Sequence, residues 1–232
     1  LMAMLEHLDL GVGAVVKKLK DEKLWDNTLL FFLTDNGGAK AMEANNGILN
    51  GFKGSLYEGG IRTPWVVSWP AKFKGGRKIS TPVVSLDILP TTLDALGVAE
   101  TRNTPFDGKS LLPLLMGETK TLDRILYWNS GLPKGEWAVR DGDWKAHGFK
   151  DRYQLFNLAK DPSEKNDAAA KHPARAEELY GRQLAWLKEM QAAENRAQPS
   201  AAQVKGDANP PQLVKEDRRR LRQEKKQKRR EK

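Results

Sequence analysis

The chain is 232 residues long, 39% hydrophobic and 30% charged, with no cysteine and a formal net charge of +9 at pH 7. That length and apolar content allow one large buried core or two small ones, and the missing cysteine excludes disulfides, zinc–cysteine sites and a thiol nucleophile within these residues. Eleven Lys or Arg against four Asp or Glu lie between Lys215 and Lys232, a net of +7 out of the +9, so the rest of the chain is nearly neutral and does not read as a nucleic-acid binder.

Nothing approaches the roughly 18 consecutive apolar residues of a membrane span, and the first residues lack the basic start and apolar centre of a signal peptide. The chain begins at Leu1 rather than Met, and we expect it to be the later part of a longer product.

Met4, Leu5, Leu8, Val12, Val15, Val16 and Leu19 recur at three- and four-residue intervals, with charged residues largely between them, which predicts an amphipathic helix. After the polar turn Asp26-Asn-Thr28 comes Leu29 to Leu33, apolar throughout, as in a parallel strand covered on both faces. The strand runs into Thr34-Asp-Asn-Gly-Gly-Ala-Lys40. In open α/β sheets ligands gather at the carboxyl ends of strands, where Asp35 and Asn36 sit.

Residues 37 to 60 are rich in Gly and Asn without periodicity and read as a long loop. A strand is predicted from Pro64 to Trp69, then a basic turn from Lys72 to Lys78. From Val83 to Gly97 a short strand passes into a helix, with Ser85 as N-cap and Gly97 as stop. Beyond Thr101 to Lys120, four short strands are predicted near Ile125–Trp128, Trp137–Arg140, Trp144–His147 and Tyr153–Phe156, with Asp141-Gly142 as a turn signal. A helix from Ala176 to Met190 would cover that antiparallel sheet. From about Ala193 the chain turns polar.

Asp35 and Asn36 offer hard oxygens of the kind Ca²⁺ or Mg²⁺ prefers, although the same four residues also suit a plain turn. In Gly51-Phe-Lys-Gly-Ser-Leu-Tyr-Glu-Gly-Gly-Ile-Arg-Thr-Pro64, Lys53 between small residues can meet an anion or simply face solvent. Glu58 and Arg62, four residues apart, are expected to pair and hold the loop, and Tyr57 to brace it. His7, His147 and His172 read as surface or packing residues. Trp65, Trp69, Trp144 and Trp186 read as packing rather than sugar platforms.

Thr34 to Gly38 followed by the Gly51–Pro64 stretch resembles the sulfatases, the formylglycine-dependent sulfuric ester hydrolases of the alkaline phosphatase superfamily. Glu6-His-Leu-Asp9, Val84 to Leu93, Ala138 to Lys145 and Tyr153 to Pro162 with Glu164 agree with the later part of that family. The resemblance implies an α/β fold in which 1–120 is part of an alkaline-phosphatase-like mixed or parallel sheet sandwiched by helices. It also implies a small α+β subdomain over 121–192, with an antiparallel sheet and one helix, before the polar, basic tail 193–232.

It further implies that Asp35 and Asn36 are metal ligands, usually for Ca²⁺, and that Lys53 contacts the sulfate as a catalytic and substrate-binding residue. His147, with Trp128, Asn129 and Trp137, would border the substrate pocket. The family's nucleophile, a formylglycine from Cys/Ser-x-Pro/Ala-x-Arg, is missing: Ser80-Thr-Pro-Val-Val84 has valine where arginine is needed. By resemblance the substrate is a sulfated small molecule or carbohydrate and the location periplasmic or extracellular. The alternatives are a phosphodiesterase or phosphonate hydrolase of the same superfamily, or a polyanion-binding module using the basic tail.

Overall fold

The computed structural model describes residues 1–99, 106–131 and 135–197. The chain divides into two units, Leu1–Leu184 and Ala185–Lys232. Most of the tail from 193, including the basic stretch 215–232 expected as a possible polyanion contact, lies outside the described residues.

Helix α1, Met2–Asp21, ends with ion pairs from Lys17 to Asp21 and from Lys18 to Glu22, one turn apart. Lys23 takes a left-handed φ of 59° to turn the chain out of the helix. None of its residues is buried. Val12, Val16 and Leu19 are partly covered, while Met4, Leu5, Leu8 and Val15 of the apolar stripe are exposed. No helix among the described residues is long and apolar enough to cross a membrane.

Strand β1, Leu30–Leu33, forms where the apolar run predicts it, but its environment differs from the expected one. It pairs antiparallel with β2, Trp65–Ser68, in a two-stranded sheet, and all four of its residues are only half-buried. No parallel partner of β1 is present among the described residues, and the uniform apolarity that reads as two covered faces is left partly open.

The segment after Val83 also departs from expectation. Val83 forms no strand, and Ser85 does not cap the following helix α3, Ile88–Ala95. Instead the Asp87 carboxylate accepts the Val84 N–H at 2.9 Å, after a 3-10 turn over Ser85–Asp87. Gly97, with φ of 66°, ends the helix as predicted. The fully buried Asp87 then ties two distant pieces of chain to this turn. Arg124 donates to it twice, at 2.5 and 2.7 Å, and the Lys109 N–H donates at 2.9 Å.

The four predicted strands are present as β3, Ile125–Asn129, β4, Glu136–Asp141, β5, Trp144–Phe149, and β6, Arg152–Asn157. They form an antiparallel sheet in chain order, with Val139 opposite Ala146 and Ala146 opposite Leu155. Because successive side chains of a strand point to opposite faces, this register sorts the sheet into two surfaces. After the short helix α4, Leu112–Met116, the last helix among the described residues is α5, Pro173–Ala197, and Trp137, Val139, Ala146 and Leu155 pack against its Ala176 and Leu179. The opposite surface carries Glu136, Arg140, Lys145, His147, Gln154 and Phe156. That second face receives the lysine-bearing loop.

Candidate active site

The turn after β1 is fastened by its backbone. The Gly37 N–H donates to the Gly60 carbonyl at 2.9 Å, and the Lys53 N–H donates to the Gly38 carbonyl at 3.0 Å. These two bonds join the Asp35–Asn36 turn to the Lys53 turn. Both require near-contact of main chains: a Cβ on Gly37 would lie 1.8 Å from the Gly59 carbonyl oxygen. Asn46 completes the clip, accepting the Gly38 N–H at 2.9 Å and donating to the Gly51 carbonyl at 3.0 Å.

Asp35 and Lys53 are exposed and Asn36 is half-buried, so the structure presents all three on the surface of this joined loop. The Asn36 amide nitrogen donates to the Gly37 carbonyl at 2.9 Å, leaving its oxygen as the group suited to a hard cation. Among the described residues no three His, Cys, Asp or Glu side chains converge on one point. The donor chemistry of Asp35 and Asn36 thus fits a divalent ion as part of a larger ligand set.

Downstream of Lys53 the loop docks on the polar face of the four-stranded sheet. Glu58, the first residue of the single-turn helix α2, Glu58–Ile61, is buried. Its short ion pair goes to buried Lys145, 2.9 Å away, with Arg140 at 3.5 Å and Arg62 at 3.9 Å. The expected Glu58–Arg62 contact is therefore the longest of the three, and Arg62 remains largely exposed. Lys145 also meets Glu164 at 2.8 Å, and the other Glu164 oxygen accepts the Glu58 N–H at 2.6 Å. Burial pushes the Glu164 carboxyl up, against the opposing pull of Lys145.

His147 lies beside this cluster. Its Nε2 is 2.5 Å from Glu136 Oε1, which also accepts the Leu56 N–H at 3.0 Å. The Tyr57 ring covers the imidazole at 3.9 Å between centroids, and the Tyr57 hydroxyl donates to Gln154 at 2.9 Å. Tyr57 does brace the loop, as the sequence suggests. By register Trp128 shares the face of His147, but Trp137 does not: it stacks on Tyr180 in the core facing α5. Local sequence does not single out Glu136, Lys145 and Glu164 as site residues. The available signal was the alternation of charged with apolar residues in β4 and β5.

Burial lowers the His147 pKa, aided by the Lys145 ammonium and opposed by the bond to Glu136 and its charge. The unfolded chain gains this proton near pH 6.5 while the folded chain resists it. The stability from neutral His147 is therefore present above that pH and lost as pH falls through the lowered folded value. We expect His147→Gln to flatten the fall in Tm between about pH 7 and 5. Thermal melts across that range check this, and an unchanged slope counts against it.

The family model described as Sulfatase matches residues 2–98, and that described as N-sulphoglucosamine sulphohydrolase, C-terminal, matches residues 52–190. The chain is 36% identical over 168 residues to arylsulfatase A of Bos taurus, covering 68% of this chain and 32% of that protein. To steryl-sulfatase of Homo sapiens it is 28% identical over 231 residues, covering 82% of this chain and 38% of that protein. The crystal structure of Ps i-CgsB in complex with k-i-k-neocarrahexaose matches with 33% identity and a TM-score of 0.74, over 79% of this chain and 42% of that one. The chain thus spans between 32% and 42% of the length of these three relatives.

Proposed function

Because this chain belongs to the sulfatase family, we propose that it forms part of a sulfuric ester hydrolase of the arylsulfatase kind, acting on a sulfated small molecule or carbohydrate. What supports the reading is the pair of backbone bonds, Gly37 to Gly60 and Lys53 to Gly38, that ties the stretch carrying Lys53 to the turn carrying Asp35 and Asn36. The carbohydrate class is supported by the sugar complex of Ps i-CgsB.

On this reading Asp35 and Asn36 hold a divalent cation, Ca²⁺ or the similarly hard Mg²⁺. When bound, the cation polarises the sulfuryl oxygens. Lys53 places a compact positive charge against the sulfate and the leaving oxygen, where negative charge grows in the transition state. His147, under Tyr57, borders the substrate side of the loop. The nucleophile, a formylglycine, would come from outside these 232 residues, which contain no Cys/Ser-x-Pro/Ala-x-Arg stretch. Residues 1–120 belong to the catalytic α/β domain and 121–192 to the smaller subdomain, and the protein works in the periplasm or outside the cell.

The test is a paired assay of the full-length gene product on 4-nitrophenyl sulfate and 4-nitrophenyl phosphate. We expect sulfate to be preferred, chelation of divalent ions to stop turnover, and Lys53→Ala to lower kcat/KM by roughly 10²–10³, the size of one lost preorganised donor. Preference for the phosphate ester, or an unchanged Lys53→Ala variant, overturns the proposal.

A further inference from the structure

Neither Lys53 nor Asp35 has a hydrogen bond or ion pair from its own side chain among the described residues, so their placement depends on the backbone that carries them. That backbone runs into α2. Two of its four residues are glycine, and an isolated single turn is unstable in water. Something outside α2 must hold it.

The only side-chain anchor of α2 that is fully buried is Glu58, and its shortest ion pair is with Lys145. Lys145 is 0% exposed and sits 2.9 Å from Glu58 and 2.8 Å from Glu164. Glu164 in turn accepts the Glu58 N–H, so both ends of this residue are fixed by one buried set. From α2 the restraint passes through short main-chain bonds. The Gly59 N–H donates to the Asn50 carbonyl at 2.6 Å, and the Gly60 carbonyl accepts from Gly37 at 2.9 Å. One branch leads to the Lys53 turn and the other to the Asp35–Asn36 turn.

We propose that Lys145 is a positioning residue: its buried ammonium, bridging Glu58 and Glu164, fixes α2 and thereby sets Lys53 against Asp35 and Asn36. A buried ion pair is a weak source of net stability but a strong selector of one geometry, because any other arrangement strands a charge away from water. The role in catalysis rests on the sulfatase reading. The restraint on the loop does not.

The first measurement is amide hydrogen exchange on the full-length gene product, comparing wild type with Lys145→Met and Glu58→Gln. We expect exchange at Gly37, Lys53 and Gly59 to rise at least tenfold, while amides of β4 and β5 change less than twofold. Glu58→Gln keeps the Lys145–Glu164 pair and the Glu58 N–H bond to Glu164 and removes only the side-chain charge that meets Lys145, Arg140 and Arg62, so it decides the matter if Lys145→Met fails to fold. Unchanged loop exchange in Glu58→Gln, or a uniform rise across loop and sheet, overturns the proposal.

Kinetics of the full-length gene product on 4-nitrophenyl sulfate separate the two readings. A wild type without turnover removes the sulfatase reading and leaves the exchange result standing. With an active wild type, we expect Glu58→Gln to lower kcat about tenfold with little change in KM, since the loop still binds but misplaces its charge. An unchanged kcat beside faster loop exchange overturns the catalytic role.

Discussion

Replacing Asp87 with Ala is expected to cost about 3–5 kcal/mol of folding stability, read in thermal melts as a Tm roughly 6–20 °C lower. Asp87 is 0% exposed and accepts four hydrogen bonds, two from Arg124 and one each from the Val84 and Lys109 amides. Removing it strands a guanidinium whose side chain is only 7% exposed. The Arg124 Nε already lacks a partner, so the group has little reserve. It also removes the acceptor of two partly buried amides, which adds to the loss. The double variant Asp87→Ala/Arg124→Met should recover part of the loss, because the uncompensated charge goes with the arginine. A single variant within about 1 kcal/mol of wild type would show that Asp87 is not the hub the geometry makes it.

Gly60→Ala is the second large effect. A Cβ there lies 2.0 Å from the Ser55 carbonyl oxygen and 2.7 Å from that of Phe52. Both are main-chain atoms, so no side-chain rotation relieves the overlap and the loop must open. We expect a loss of about 3 kcal/mol or more, at the upper end of overpacking penalties, in urea unfolding. The Gly37–Gly60 bond would break with it, parting the turn of Asp35 and Asn36 from that of Lys53. Gly13→Ala is the control. It stands inside exposed helix α1 with no atom within 4 Å of its Cβ position, so alanine should stabilise by roughly 0.5–1 kcal/mol. Equal effects at the two positions would mean that the loop contact is looser than its geometry.

Local chemistry settled most of the element order. Apolar spacing predicted α1, the unbroken Leu29–Leu33 run predicted β1, and alternating strands joined at Asp141-Gly142 predicted the sheet that β4 and β5 centre. These are short-range properties, since period, turn residue and strand length are all written within a dozen residues. Likewise Asp35, Asn36 and Lys53 could be marked from residue type and flanking glycines. The joining of their turns needed coordinates, because Gly37 and Gly60 meet across a loop with no periodicity.

Sequence alone determined most of the strands and the longer helices, and which residues carry groups suited to a cation and an anion. Only the tertiary structure decided that β1 pairs antiparallel with β2, that Asp87 rather than Ser85 holds the turn before α3, and that Lys145 is buried. A lysine on a strand reads as exposed because burying an isolated ammonium is costly. It is buried here because two carboxylates, one 87 positions away in the chain, arrive to meet it. Such compensation is a long-range electrostatic fact with no local trace, so the contacts that place the candidate site appear only when the chain is folded.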